Sequence, residues 1–109
     1  MPDPSCNPYL AFAVMLAAGL DGVQTNADPG PPVDRNIYAM SEEERTRHGI
    51  SALPADLGQA LEALQADEVV RTSLPTHVYD EFLRAKRAEW HEYIAAVHAW
   101  ETDRYLSTY

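Results

Sequence analysis

The chain has 109 residues, enough for one domain, and carries a formal net charge of −9. That balance speaks against a nucleic-acid partner, since gripping a phosphate backbone takes clustered positive charge. A single cysteine, Cys6, excludes an internal disulfide framework.

The first element is an uninterrupted apolar stretch over residues 7–23, without a charge until Asp21. Asn7 is a good N-cap, because its side-chain oxygen can accept a free backbone N–H of the first turn. Pro8 suits the first helical position, where a missing N–H costs nothing. Apolar residues fall on every face, the pattern of a helix buried in a larger protein or in a membrane. Residues 9–20 are too few to cross a bilayer, which takes about 20 apolar residues. The reading is a core helix that needs walls on all sides, ending around Gly19 to Gln24 where Gly19 and Gly22 supply terminal conformations. Only Asp3 is charged before this stretch. The positive start of a secretory signal is missing, so a cytoplasmic location is expected.

Residues 25–34 hold Pro29, Gly30, Pro31 and Pro32 and read as an extended connection. It is either a plain linker or a loop held across another surface. Ser41 with Glu44 forms a capping box, predicting a short helix over 42–48 that stops at Gly49. Glu43 and Arg47, four apart, suit a surface ion pair. Asp56 with Gln59 opens a helix over 57–66, with Leu57, Ala60, Leu61 and Leu64 on one stripe. Asp67 recaps a short segment over 68–74, ending before Pro75.

Thr76 is expected to cap the longest helix, residues 77–97. Tyr79, Phe82, Leu83, Trp90, Tyr93, Ile94 and Val97 share one face, and Asp80 with Arg84 makes a second ion pair. The tail, residues 98–109, places Trp100, Tyr105, Leu106 and Tyr109 on a short segment. Chain ends are normally mobile and polar. These side chains therefore read as packing back on the long helix or, more sharply, docking on a neighbouring subunit. The sum is an all-α chain of about five or six helices plus a Pro-rich loop, with no convincing strand.

Candidate chemistry is sparse. His48, His77, His91 and His98 do not form a zinc helix motif, and His98 with Glu101 is a lone pair. Glu42, Glu43 and Glu44 point apart on a helix and cannot converge on one ion. Cys6 has no base beside it in a recognisable signature and reads as a buried structural thiol. No Gly-rich phosphate loop is present. The aromatic set Trp90, Tyr93, Trp100, Tyr105 and Tyr109 is the most informative surface, because Trp and Tyr dominate binding hot spots.

The ordered motifs resemble class I glutamine synthetase near the end of its catalytic domain. They are Pro2-Asp3-Pro4-Ser5-Cys6-Asn7-Pro8-Tyr9, Ala18-Gly19-Leu20-Asp21-Gly22, Pro32-Val33-Asp34-Arg35-Asn36-Ile37-Tyr38, Met40-Ser41-Glu42-Glu43-Glu44-Arg45, Leu53-Pro54, Leu61-Glu62-Ala63-Leu64 and Val97-His98-Ala99-Trp100-Glu101. The resemblance covers essentially the whole chain. It implies a helical C-terminal portion of an α/β catalytic domain: core helix 7–24, Pro-rich loop 25–40, helices 41–97 and an oligomerisation tail 98–109. The implied parent activity joins ammonia to the γ-carboxyl of glutamate through γ-glutamyl phosphate, with ATP and Mg2+ or Mn2+ as cofactors.

In the family the metal carboxylates, ATP contacts and glutamate-binding arginines lie upstream of Pro2-Asp3-Pro4. The resemblance therefore implies that this chain supplies no catalytic, cofactor-binding or metal residue, and that alone it is inactive. The implied partners are the N-terminal part of the synthetase and other subunits, in a dodecamer of two hexameric rings tied together by the tail. Trp100, Tyr105 and Tyr109 are the interface candidates. Tyr38 aligns with the tyrosine that enterobacterial-type relatives adenylylate in Asn-Leu-Tyr-Asp-Leu-Pro. Here the surroundings are Asn36-Ile37-Tyr38-Ala39-Met40-Ser41, resembling the feedback-inhibited branch, which is not modified there. Ala99 stands where the family usually has proline. The alternative reading is a non-catalytic helical oligomerisation or interaction module derived from such an enzyme.

Overall fold

In the computed structural model, residues 3–106 are described. Among them are six α-helices: α1 Pro8–Gln24, α2 Glu42–Arg47, α3 Leu57–Ala66, α4 Glu68–Ser73, α5 Thr76–Ala95 and α6 Ala99–Tyr105. A 3-10 turn, Ile37–Ala39, precedes α2, and no described residue lies in a strand.

The starts of the helices follow local chemistry. Asn7 Oδ1 accepts from the backbone N–H of Tyr9 at 3.0 Å. Ser41 Oγ accepts from Glu44 N–H at 3.2 Å while Glu44 Oε2 accepts from Ser41 N–H at 2.9 Å, a complete capping box. Asp56 Oδ1 accepts from Gln59 N–H at 2.8 Å and Asp67 Oδ1 from Val70 N–H at 3.0 Å. At α5 the expectation is corrected. Pro75, not Thr76, is the N-cap, and no side chain caps this helix. The carbonyl of Pro75 already accepts the N–H groups of Val78 and Tyr79, so the first turn closes on backbone alone.

Two helix ends share one device. After α1, Ala27 N–H donates to Gly22 O at 2.9 Å and Asn26 N–H to Val23 O at 3.3 Å, with Asn26 at φ 50°. After α2, Ile50 N–H donates to Arg45 O at 2.9 Å and Gly49 N–H to Thr46 O at 3.1 Å, with Gly49 at φ 68°. Both are Schellman closures, which satisfy the last carbonyls through one left-handed residue. Gly19 and Gly22, expected to end α1, lie inside it, and the terminal conformation comes from Asn26.

The core is small and belongs to α3, α4 and α5. Leu61, Tyr79 and Leu83 are buried, with Leu57, Leu64, Leu74 and Trp90 packed around them. Gly58 lets the Trp90 indole approach closely: a Cβ there would stand 2.8 Å from Nε1. Arg87 on α5 donates to Gln65 Oε1 on α3. At about 1.5 Å per residue, α5 is twice as long as α3. Its C-terminal turns therefore run past the core. Tyr93, Ile94 and Val97 continue the buried face in sequence yet are exposed.

Two expected ion pairs are corrected. Arg84 binds Glu81 and not Asp80, with Nε 3.0 Å from Glu81 Oε2. The longer glutamate at i−3 reaches a second donor, Nη2, with the same oxygen, which a shorter aspartate at i−4 does not match. Arg47 is not paired with Glu43; ion pairs form instead at Glu68–Arg71, Glu81–Arg84 and Lys86–Glu89. Arg47 is the last residue of α2, where the chain turns into its closure.

Helix α1 leans on α4. The chain itself covers only that side: Leu10, Ala13, Val14 and Ala17 are half-buried, and no residue of α1 is buried. The radius of gyration is 18.4 Å, against about 13 Å for a compact domain of this length. The accessible surface is 9438 Å², against roughly 6,000 Å² for a compact monomer of this mass.

Candidate functional site

The candidate surfaces lie outside the core. On α1 the exposed side chains Tyr9, Phe12, Leu16, Leu20 and Val23 are spaced 3, 4, 4 and 3 residues apart. That spacing makes one continuous apolar stripe along the helix. Tyr9 is 84% exposed. Beside the start of α1 opens a cleft of about 680 Å³, floored by Leu10, Val14, Leu64, Val70 and Phe82. Lys86 and Glu89, joined at 2.6 Å, and the exposed Cys6 belong to its walls. Cys6 was expected to be buried. Within this chain nothing closes over it.

The tail forms a second surface. Ala96 leaves α5 with extended backbone, and α6 begins after His98. His98 N–H donates to Glu101 Oε2 at 2.9 Å, so this pair is a helix cap. The His98 ring lies 4.7 Å from that of Tyr93, and Tyr93 stacks on Trp90 at 5.8 Å. Trp100 and Tyr105 meet edge to face at 6.1 Å, and the Arg104 guanidinium sits 5.3 Å from the centre of the Trp100 ring. Trp100 is nevertheless 62% exposed and Tyr105 51%, and Val97 and Leu106 stand open beside them. The tail's aromatics thus touch one another more than they touch the core. Tyr109, the third interface candidate, lies outside the described residues.

Tyr38 is 99% exposed on the 3-10 turn, whose start is fixed by Asn36 Oδ1 accepting Tyr38 N–H at 3.1 Å. The remaining candidates stay apart. Of the three glutamates 42–44 only Glu44 turns back onto the backbone. Its hydrogen bonds from the Ser41 backbone and hydroxyl, with Arg35 nearby, hold its carboxyl below the usual carboxylate range. Among the described residues no group of three or more His, Cys, Asp or Glu side chains could hold a metal ion. Among the described residues no helix is long and apolar enough to cross a membrane.

The family model described as "glutamine synthetase, catalytic domain" matches residues 1–105. The chain belongs to that family. It is 58% identical over its full 109 residues to the glutamine synthetase of Thermus thermophilus, covering 24% of that protein. It is 52% identical over 105 residues to the glutamine synthetase of Methanocaldococcus jannaschii, covering 96% of this chain and 23% of the relative. Among solved structures, one titled apo GmaS without ligand superposes with a TM-score of 0.77 at 40% identity, over 96% of this chain and 24% of the other. The chain therefore spans about a quarter of the length of these glutamine synthetase relatives, and its all-helical fold matches a quarter of a solved structure.

Sequence reasoning missed two residues that position these surfaces. Gly58 seats Trp90, from which the aromatic series runs out to His98. Asn26 closes α1. Each depends on a contact or dihedral with no signature in spacing.

Proposed function

We propose that the chain is the helical segment of a cytoplasmic glutamine synthetase, an enzyme that joins ammonia to the γ-carboxyl of L-glutamate through γ-glutamyl phosphate. The observation that carries this reading is 58% identity to a glutamine synthetase across every residue of the chain. ATP and Mg2+ or Mn2+ serve the proposed reaction. The resemblance places the groups that hold them outside this chain, so the proposal assigns it no step of that reaction.

What the chain contributes is architecture. Helix α1 rests on α4, α6 follows α5, and both present apolar surface for the rest of the enzyme and for other subunits. In this reading Trp100, Tyr105 and Tyr109 anchor contacts between subunits of a two-ring dodecamer. Tyr38 stays unmodified on its exposed turn.

A chimera tests the proposal. Substituting this chain for the matching segment of the Thermus thermophilus enzyme should preserve glutamine formation, while the isolated chain should show no synthetase or γ-glutamyl transferase turnover. A folded, assembled but inactive chimera would contradict the first expectation, and turnover by the pure chain would contradict the second. The exposed aromatic tail favours one further reading, a non-catalytic oligomerisation module. That reading expects the chain to associate with synthetase subunits without restoring turnover to any of them.

A further inference from the structure

Helix α5 ends at Ala95 and α6 begins at Ala99. The joint between them is extended backbone, with Ala96 at ψ 134° and His98 at ψ 151°. Among the described residues no backbone hydrogen bond crosses it. Ala96 N–H turns back to Tyr93 O, while the N–H groups of Glu101 and Thr102 close on His98 O. Among the described residues no other helix packs broadly on α6. Each linking residue has two soft dihedrals, so such a joint alone leaves a short helix free to swing.

What does cross the joint is a row of rings. The His98 ring lies 4.7 Å from that of Tyr93, tilted by 45°. Tyr93 stacks on the Trp90 indole at 5.8 Å with the planes 21° apart. Both separations suit aromatic pairs. Trp90 is packed against the Leu61, Tyr79 and Leu83 core. Gly58 lets its indole lie close to α3, where a Cβ would stand 2.8 Å from Nε1 and 2.9 Å from Cε2. The row thus has one end in the core and the other at the N-cap of α6, where His98 N–H donates to Glu101 Oε2 at 2.9 Å. Tyr93 itself is 58% exposed, so its ring is placed by its two neighbours and not by burial.

We infer that Gly58, Trp90, Tyr93 and His98 form an aromatic splint that sets the direction in which the chain enters α6. This goes beyond the proposed function, because the splint acts within one chain and holds whatever surface the tail meets. A direction fixed in advance removes part of the ordering cost of docking. The other ring contacts of the tail cannot supply it. Trp100, Arg104 and Tyr105 all belong to α6 and move with it.

The distance between two spin labels, read by electron spin resonance, tests the inference on the full chain at a concentration where sedimentation shows monomers. Cys6, the sole cysteine, is changed to serine, and labels are attached through Glu62→Cys on α3 and Leu106→Cys after α6, both exposed positions. The labelled parent should give one narrow distance distribution. Tyr93→Leu keeps apolar bulk but removes the middle ring, and should broaden the distribution about twofold or more. Tyr93→Phe should keep it narrow, and so should Ile94→Ala, an exposed neighbour outside the row. Gly58→Ala displaces the indole and should move the proton resonances of the His98 ring. Circular dichroism should show the same helix content in the parent and both Tyr93 variants. A Tyr93→Leu distribution as narrow as the parent's would overturn the inference. So would a parent distribution already as broad, or equal broadening by Ile94→Ala. An unmoved His98 ring in Gly58→Ala would overturn the part assigned to Gly58.

Discussion

Helices α1 and α5 are nearly the same length, 17 and 20 residues, and end in opposite circumstances. Helix α5 is half polar, yet it supplies Tyr79 and Leu83, two of the three buried side chains. Helix α1 is apolar on every face and buries none. Hydrophobic content alone therefore does not decide burial. What decides it is whether the chain has a surface to set opposite each stripe. Helices α3 and α4 serve α5 as far as Trp90, and α4 serves α1 along one side.

The sharpest way to break this comparison is to cut into each helix in turn. Leu83→Ala, in α5, should cost about 2–4 kcal/mol in urea unfolding of the isolated chain, because it opens a cavity in a core with only two other buried members. Phe12→Ala, in α1, should change the same measurement by less than about 0.5 kcal/mol, since its ring already faces solvent. Equal effects would mean that α1 is as well supported as α5.

A slightly smaller effect is expected at Gly58. Its Cβ would lie 2.8 and 2.9 Å from the Trp90 indole, so Gly58→Ala must displace the ring. Overpacking costs about 1–3 kcal/mol, and the helix-propensity gain of about 1 kcal/mol offsets part of it. The net change should be destabilising, and it should reverse sign when Trp90→Ala is combined with it. Additive effects in that double-mutant cycle would mean that the contact carries no energy.

The tail sharpens the contrast at the level of assembly. If the proposed two-ring assembly holds, changing the tryptophan and tyrosine that match Trp100 and Tyr105 to alanine in a full-length relative should shift sedimentation from dodecamers towards hexamers, since a buried aromatic anchor is worth at least about 2 kcal/mol. An unchanged distribution at low concentration would mean that α6 packs only on its own subunit.

The smallest effect belongs to the capping box. Glu44 titrates lower in the folded chain than in the unfolded one, because Ser41 donates to its carboxylate form. Its contribution is therefore present above the unfolded carboxylate value, about 4.3, and lost as pH falls through the lower folded value. Glu44→Gln should flatten the acid limb of the stability profile slightly and leave pH 7 nearly unchanged. A steeper acid limb would contradict it.

How far the sequence reaches differs between these regions for the same reason. The starts of α1, α2, α3 and α4 were legible because Asn7, Ser41, Asp56 and Asp67 act on backbone within three residues. Thr76 misled because Pro75 closes α5 with its carbonyl, an event that leaves no side-chain signature. Asp80 and Glu81 both precede Arg84 at helical pairing distances, and the longer Glu81 takes two guanidinium donors. The apolar face of α5 was drawn correctly through Val97, but its last third is exposed because α3 is too short to cover it. The tail's aromatic surface was visible in composition. The support that Trp90 gives it depends on Gly58, which only the packed structure reveals.

Native-state hydrogen exchange on the isolated chain, at a concentration where sedimentation shows monomers, tests the central claim most directly. The claim is that α3, α4 and α5 hold themselves while α1 and α6 await partners. The expected result is strong protection of α5 amides between Tyr79 and Trp90, with amides of α1 and α6 exchanging much faster. Protection of α1 equal to that of α5 in the lone monomer would contradict the account.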